Sequence, residues 1–274
     1  MLADVTASNM DRPSLDSRLN RMCFPVFQPI RDRDGKLFYY EGCVRVIHRD
    51  PDAHAELLGI AEKLDFVDLI DLTVSAKVVD HALQANTPAG FNLSVMTIER
   101  SADELMSLIA RARHLPGGVV VEITETVAIK NVGLIADFCA ELRKWNARVA
   151  LDDVGTGNFD VQDVLALRPD IVKIAMPRTH QVMRDVAARA WLRSIMAVCN
   201  SINADVVAEG IDRLEYRESL RLWNVPYFQG YAIGMPQILM KQNDQEAAPT
   251  SEMAAPTAVN ESNTNVLYRA ERVA

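Results

Sequence analysis

Polar side chains recur in this sequence at or near the ends of short apolar segments. A carboxylate within a run such as VVVEIT (119–124) or DVVAEG (205–210) is costly to bury unless it is paired with a cation. The residues placed in this way are Gln28, Glu41, Arg45, Asn92, Glu122, Asp152, Asp153, Lys173, Glu209 and Gln229. We therefore treat them as one set, whose chemistry depends on whether the fold brings them together.

Five acids in this set face only two cations, Lys173 and Arg45. Carboxylates that converge repel one another, and some stay protonated unless a counter-cation is present. Their oxygens, with the amide oxygen of Asn92, suit Mg²⁺ or Mn²⁺ rather than zinc. Two such ions would serve an in-line attack of water on a phosphodiester. The sequence shows no Ser or Cys nucleophile motif and no Gly-rich phosphate loop of the P-loop or dinucleotide type.

Strand-like and helix-like segments alternate along the chain and must position this set. The predicted strands are 26–30, 38–47, 91–94, 119–124, 148–153, 170–175, 205–210 and 227–231. The predicted helices are 53–64, 67–85, 102–113, 132–145, 161–167, 186–202 and 214–223. This order predicts an α/β fold of the (β/α)8 TIM-like barrel type, in which the ends of the strands meet at one face. Residues 31–37 are too few for a parallel crossover, so the first two strands are predicted to be antiparallel.

The ends of the chain differ in composition from its middle. Residues 1–20 are polar and lack periodicity, and residues 241–274 are rich in Ala, Pro, Ser, Thr and Asn. We expect both to be disordered tails that flank a single catalytic domain at 21–240.

Bulk properties exclude several functional classes. A net charge of −8 argues against binding to DNA or RNA, because phosphate backbones are held by clustered Lys and Arg. The four cysteines are widely spaced, which predicts neither disulfides nor a zinc site and makes a reducing cytoplasm the expected location. No apolar run approaches the roughly 18 residues of a membrane span, so we expect no membrane insertion.

The same segments resemble the EAL family of bacterial cyclic di-GMP phosphodiesterases, in order and with compatible spacing from about Pro25 to Pro236. The matching stretches are FQPI (27–30), EGCVR (41–45) in place of EALxR, NLS (92–94), EITE (122–125), DDVGTG (152–157), VKIA (172–175), AEGID (208–212) and QGYAIGMP (229–236). Eight short motifs in register are far more specific than any one of them.

The resemblance implies a role for each residue of the set. The implied ligands of two Mg²⁺ or Mn²⁺ ions are Glu41, Asn92, Glu122, Asp152, Asp153 and Glu209. Glu41, Asp153, Glu209, Lys173 and Gln229 are the implied catalytic residues: Lys173 contacts the attacking water and helps to neutralise the phosphate, and Gln229 supports the metal–water network. The implied reaction hydrolyses one phosphodiester bond of cyclic di-GMP to give linear pGpG, which lowers a second messenger of motility and biofilm formation.

Other roles concern the substrate and the assembly. Gln28 and Arg45 are implied to hold the cyclic dinucleotide, Arg45 through a phosphate, and Cys43 lies beside it. Glu125 is implied to anchor the loop after the fifth strand. A homodimer is expected, together with regulation by dimerisation, expression or a protein partner.

Departures from the family pattern keep a second function open. Gly42 and Cys43 replace Ala and Leu of the signature, Val154 replaces Phe, and residues 158–160 read NFD instead of Tyr-Ser-Ser. Ala175 and Asp212 also depart from the family's residues. The alternative is a weak or inactive EAL protein that binds cyclic di-GMP or a partner as a regulator. A third reading is a barrel phosphoesterase for another nucleotide.

Ordinary structural roles remain open for single residues. Each acid taken alone could form a salt bridge at the barrel mouth, and Lys173 could pair with Asp170 instead. Arg45 could donate to a neighbouring backbone carbonyl, and Asn92 could cap a helix. Cys43 could be a buried, inert thiol.

Overall fold

Eight strands form a closed barrel in this computed structural model, which describes residues 11–48, 53–124, 131–156, 159 and 161–239. In chain order the strands are β1 Cys23–Asp32, β2 Leu37–Val46, β3 Ala89–Ser94, β4 Val119–Thr124, β5 Arg148–Val154, β6 Ile171–Ile174, β7 Asp205–Ala208 and β8 Tyr227–Phe228. Each strand pairs with its neighbours in sequence, and β8 closes on β1. The predicted (β/α)8 barrel is confirmed.

The first strand runs against the direction of the others. β1 is antiparallel to both β2 and β8, whereas β2 to β8 pair in parallel. The connection from β1 to β2 is a tight turn in which Oδ1 of Asp32 accepts the backbone N–H groups of Asp34 and Lys36, each at 2.9 Å. The antiparallel pair places Gln28 opposite Glu41, so both side chains belong to the same end of the barrel.

Helices surround the barrel. The described residues form α1 Arg12–Met22, α2 Ala53–Leu64, α3 Val67–Ala85, α4 Val95–Arg111, α5 Val132–Arg143, α6 Val161–Leu167, α7 Met176–Arg184, α8 Val186–Ile202 and α9 Leu214–Leu222. The predicted bounds are right for α2, α3, α6 and α8. Helix α4 begins at Val95, where the Ser94 side chain caps it by accepting the N–H of Thr97, and it is kinked at Ser101 (φ −134°). The predicted helix from residue 102 is the part after this kink. Helix α7 was not predicted.

Helix α1 corrects the predicted N-terminal tail. Residues 12–20 were expected to be disordered, but Asp11 caps a helix with Pro13 in its first turn, and Leu15, Leu19 and Met22 are buried. Their spacing of four and three residues gives one apolar face, which packs against the barrel. The prediction of disorder is therefore wrong for residues 12–20. Residues 1–10 and the predicted tail at 241–274 lie outside the described residues.

Two layers of side chains fill the barrel. A compact apolar cluster of Ile30, Tyr39, Val120, Ala150, Ile171 and Val207 occupies the interior. Because side chains two residues apart point to the same face of a strand, the polar residues at 28, 41, 122, 152, 173 and 209 form the next layer, toward the carboxyl ends of β2 to β7. Among the residues that the structure describes, no helix combines the length and apolar character that crossing a lipid bilayer requires.

Candidate functional site

Lys173 is the centre of the polar layer. It is 0% exposed, and its Nζ lies 3.0 Å from Oε2 of Glu41, 2.8 Å from Oδ1 of Asp152 and 2.8 Å from Oε1 of Glu209. The same ammonium donates a short hydrogen bond to Oε2 of Glu122. One buried cation therefore gathers four carboxylates from β2, β4, β5 and the end of β7. Asp170, the alternative partner in the sequence, pairs with Arg143 instead.

Amide side chains fix both oxygens of Glu41. Nδ2 of Asn92 donates to Oε1 at 2.9 Å, and Nε2 of Gln229 donates to Oε2 at 2.6 Å. Gln229 also donates to Oε1 of Gln28 at 3.2 Å, and Gln28 in turn donates to the carbonyl of Gly234. Asn92 thus belongs to the polar network, and the cap of α4 is Ser94.

An irregularity in β5 brings two consecutive acids to the same end of the barrel. Successive side chains of a regular strand point to opposite faces. Between Leu151 and Val154 the pairing with β6 shifts register, and Asp153 takes a left-handed φ of 54°. Asp152 consequently reaches Lys173, while the more exposed Asp153 lines the adjacent cavity. Bulges of this kind are frequent beside active sites.

Burial and neighbouring charges shift the pKa values of the acids in different directions. Burial alone would raise the pKa of Glu41, but Lys173 and the amide donors outweigh it and lower that pKa to about 2. Burial and the neighbouring Glu41 raise the pKa of Glu122 to about 8, and burial also raises the pKa of Glu209. Burial would lower the pKa of Lys173, yet the four carboxylates hold that pKa well above its ordinary range. The layer is therefore short of positive charge.

The donor set fits a hard divalent cation. The buried oxygens Oδ1 of Asn92, Oε1 of Glu122 and Oε1 of Gln229 accept no hydrogen bond, whereas Oδ1 of Asp152 contacts the Lys173 ammonium. Unpaired oxygens of carboxylates and amides are the ligands that Mg²⁺ and Mn²⁺ prefer. Within the described ranges, no three acidic, histidine or cysteine side chains form a ready-made ligand set, and four of the acids contact Lys173 instead.

An open cavity of about 650 Å³ adjoins this cluster. The predicted site residues that line it are Gln28, Arg45, Asp153, Glu209 and Gln229, together with residues of α7 and of the segment after β8. Arg45 donates to the backbone carbonyl of Val44 at 2.8 Å, as its alternative role requires, while also lining the cavity. The cavity has the size range of a small-molecule site.

One predicted residue lies apart from this arrangement, and another is not among the described residues. Cys43 does not line the cavity, and burial holds the pKa of its thiol well above the ordinary value, as expected of an unreactive cysteine. Glu125, the predicted anchor of the loop after β5, lies outside the described residues, as do Asn158 and Asp160 of that loop.

Gly90 and Asp71 also support the site, and neither was predicted from the sequence. A Cβ at Gly90 would lie 2.7 Å from Oε1 of Glu122 and 2.9 Å from Cε2 of Tyr39, so this glycine makes room for the Glu122 carboxylate. Asp71 of α3 accepts the N–H of Ser94 at 2.9 Å and the hydroxyl of Thr97, which fixes the turn after Asn92. An acid inside the apolar run LIDLTV (69–74) was the signal for Asp71.

Comparison with known proteins agrees with this geometry. A protein-family model described as "EAL domain" matches residues 14–236. The chain is 28% identical over 223 residues to "Probable cyclic di-GMP phosphodiesterase PdeA" of Escherichia coli K12, a match that covers 77% of this chain and 30% of that protein. It is 29% identical over 214 residues to "Cyclic di-GMP phosphodiesterase PdeB" of Shewanella oneidensis, covering 75% and 24%. The match thus spans 30% and 24% of the length of these two relatives.

Solved structures share the fold. "PaMucR Phosphodiesterase, c-di-GMP complex" superposes with a TM-score of 0.69 at 21% identity, covering 80% of this chain and 98% of that one. The "manganese/cy-diGMP complex" of BlrP1 from Klebsiella pneumoniae gives a TM-score of 0.67 at 23% identity, covering 78% and 56%. At these identities the superpositions establish the barrel and not the substrate.

Proposed function

Because the chain belongs to the EAL-domain family, we propose that it is a divalent-metal-dependent phosphodiesterase that hydrolyses cyclic di-GMP to linear pGpG. The observation that carries this proposal is the convergence of four carboxylates on Lys173 beside an open cavity. The names of the two relatives support the substrate and the reaction.

The proposed ligands of two Mg²⁺ or Mn²⁺ ions are the acids and the amide of the polar layer. They are Glu41, Asn92, Glu122, Asp152, Asp153 and Glu209, and the unpaired oxygens of Asn92 and Glu122 support the assignment. Bound cations would supply positive charge for the phosphodiester oxygens and lower the pKa of the water that attacks phosphorus. The manganese complex of the Klebsiella pneumoniae protein supports a divalent ion in this fold.

Lys173 and Gln229 are the buried catalytic residues of this proposal. The Lys173 ammonium, held protonated by its four neighbours, orients the water and neutralises the phosphate. Gln229 keeps Glu41 in place through its 2.6 Å hydrogen bond and leaves its own Oε1 to accept a hydrogen bond from water. Asp153 and Glu209 are the acids that lie both in the polar set and on the cavity wall, where a water would meet the substrate.

Gln28 and Arg45 line the cavity and are the proposed substrate contacts, Arg45 through a phosphate. Cys43 is proposed to lie at the edge of the nucleotide site, and Glu125 to anchor the loop after β5. The domain is proposed to begin at helix α1 and to end near residue 240, and to act as a homodimer, as expected from the resemblance.

The test compares wild type with Glu41→Ala and with the surface control Glu104→Ala. Each full-length protein is incubated with cyclic di-GMP and Mg²⁺ or Mn²⁺, and pGpG is measured by chromatography alongside binding by calorimetry. We expect hydrolysis by wild type and Glu104→Ala, and a loss of at least 100-fold in Glu41→Ala. Binding of cyclic di-GMP without hydrolysis by wild type would overturn the enzymatic proposal and favour the regulatory alternative. Faster turnover of a cyclic or linear mononucleotide would assign another substrate.

A further inference from the structure

Gly155 follows the two acids of β5 and has no room for a side chain. Its φ is 103°, in the region that favours glycine. A Cβ at this position would lie 2.9 Å from Cη2 and 3.0 Å from Cζ2 of Trp191, on helix α8. The indole of Trp191 therefore packs directly against the backbone of Gly155.

Arg178, on helix α7, holds the carbonyl of the same residue. Its Nε and Nη2 donate to the oxygen of Gly155 at 3.2 and 3.0 Å. Its Cζ lies 4.7 Å from the centre of the Trp191 ring, and Nη1 donates to Oε1 of Gln181 at 3.0 Å. Stacking on Trp191 and hydrogen bonding to Gln181 thus fix the guanidinium, which donates to the carbonyl of Gly155. We call Arg178 and Trp191 the clamp.

The turn held by the clamp carries a strained acid. Asp153 is a non-glycine residue at φ 54°, a left-handed conformation that is unfavourable for most residues with a side chain and persists where the surroundings impose it. The hydroxyl of Thr156 donates to the carbonyl of Asp153 at 3.0 Å. On the other side, Val154 is buried and its carbonyl accepts the N–H of Ala175 at 3.2 Å. The clamp completes this set of restraints.

We propose that Arg178 and Trp191 are positioning residues that set where Asp152 and Asp153 present their carboxylates, and thereby the affinity of the site for its divalent cation. The proposal rests on the proposed function only in that these acids bind the cation. Groups that orient metal ligands without touching the ion typically change metal affinity by about 10–100-fold when they are removed. Neither residue belongs to the set singled out from the sequence.

Arg189 provides a matched control. It lies on α8, and it too donates to backbone carbonyls, those of Val182 at 3.0 Å and Met183 at 3.3 Å, with its Cζ 5.6 Å from the ring of Trp223. Its carbonyl partners belong to α7 rather than to the turn after β5. Arg178→Met and Arg189→Met therefore remove the same chemistry from two places, and only Arg178 contacts the turn that follows the acids.

The test measures Mn²⁺ binding by electron paramagnetic resonance in the full-length protein, with thermal unfolding without metal as a measure of folding. We expect Arg178→Met to raise the Kd for Mn²⁺ by about 10-fold or more. Trp191→Phe, which keeps an aromatic surface, and Arg178→Lys, which keeps one donor, should show smaller increases. Arg189→Met should retain the wild-type Kd even if its Tm falls. In the hydrolysis assay, the loss in Arg178→Met should shrink at saturating Mn²⁺ while KM for cyclic di-GMP stays unchanged.

The remaining outcomes distinguish a failure of the clamp from a failure of the proposed phosphodiesterase reaction. A wild-type Mn²⁺ affinity in Arg178→Met, or equal losses in Arg178→Met and Arg189→Met, would overturn the clamp. If Arg178→Met does not fold, Trp191→Phe carries the test, and its unchanged Kd would have the same meaning. Wild type that binds Mn²⁺ without hydrolysing cyclic di-GMP would overturn the proposed reaction and leave the clamp to be judged by Mn²⁺ affinity. Wild type that binds no Mn²⁺ would overturn both.

Discussion

The ammonium nitrogen of Lys173 lies 3.0 Å from Oε2 of Glu41, although the two residues belong to strands on opposite sides of the eight-stranded barrel. The lysine side chain crosses the lumen of the barrel and joins β6 to β2 directly. It also contacts acids on β4, on β5 and after β7. This single cation therefore holds together the residues that we propose as metal ligands.

Removing that cation should destabilise the protein in the absence of metal. Lys173→Met keeps most of the side-chain volume but leaves buried carboxylates uncompensated, which typically costs about 3–5 kcal/mol. We expect this loss in the free energy of unfolding from urea titrations without metal. Added Mn²⁺ should stabilise the variant more than wild type, because the cation replaces part of the missing charge.

Lys77→Met is the control, because it removes another lysine whose ammonium is hydrogen-bonded within the protein. Its ammonium donates to the carbonyl of Cys23 at 2.6 Å, away from the acids. If Lys173→Met and Lys77→Met respond equally to Mn²⁺, the acids are not held by Lys173 in the manner described.

A methyl group at Gly90 should displace Glu122. The new Cβ would lie 2.7 Å from Oε1 of Glu122 and 2.9 Å from Tyr39, and overpacking of this kind costs about 1–3 kcal/mol. We expect Gly90→Ala to lower stability and to weaken Mn²⁺ binding, measured by thermal unfolding and electron paramagnetic resonance.

Gly59 offers the opposite case in the same protein. It lies in α2, and a Cβ there would meet nothing within 4 Å. Gly59→Ala should therefore stabilise the protein by about 0.5–1 kcal/mol and leave Mn²⁺ binding unchanged. Tighter Mn²⁺ binding by Gly90→Ala would contradict the role given to this glycine.

Restoring the alanine of the family signature should harm this protein. A Cβ at Gly42 would lie 2.4 Å from Cγ2 of Val78, a side chain that is fully buried on α3. Gly42→Ala alone should therefore lower the free energy of unfolding. In the double variant with Val78→Ala, the closest contact of the new methyl group is removed, while the carbonyl oxygen of Gly90 remains at 3.1 Å.

A double-mutant cycle on denaturant unfolding measures this dependence. We expect a favourable coupling between positions 42 and 78 of about 0.5–3 kcal/mol, the range found for residues in contact. Additive effects would show that the departure from EAL at Gly42 is unrelated to the packing of α3.

Neutralising Asp71 should stabilise the protein at high pH. Burial raises the pKa of this carboxyl to about 6 from 3.8. Above pH 6 the carboxyl is ionised in both states, and its ionisation is less favourable in the folded protein than in the unfolded chain. Each pKa unit corresponds to about 1.4 kcal/mol, which gives a penalty of about 2–3 kcal/mol at pH 8. The penalty falls as the pH drops from 6 to 4, where both states become protonated.

Asp71→Asn keeps an acceptor for the N–H of Ser94 and the hydroxyl of Thr97. Its gain in Tm over wild type should be largest at pH 8 and should decline toward pH 4. Asp80→Asn, which removes an exposed acid of the same helix that pairs with Arg111, is the control for net charge. A gain for Asp71→Asn that is constant with pH would contradict the raised pKa of Asp71.

Local sequence patterns were sufficient for most of the framework. Alternating apolar segments predicted all eight strands, and the short link of residues 31–37 predicted the antiparallel pair. Helices α1 and α7 were missed although both have proline in their first turn, a common signal of a helix start. Few apolar residues in these helices face the core, so their weak periodicity was outweighed by their polar composition.

The sequence by itself determined the barrel, the family and the chemical types that gather at its mouth, because strand period, loop length and motif order are encoded locally. Only the tertiary structure decided how those groups share charge. Contacts between residues as distant as Glu41 and Lys173 depend on closure of the sheet, and the unequal pKa values of Glu41 and Glu122 depend on the partners that closure supplies. The same is true of Arg178 and Trp191, which reach Gly155 only because α7 and α8 pack beside the end of β5.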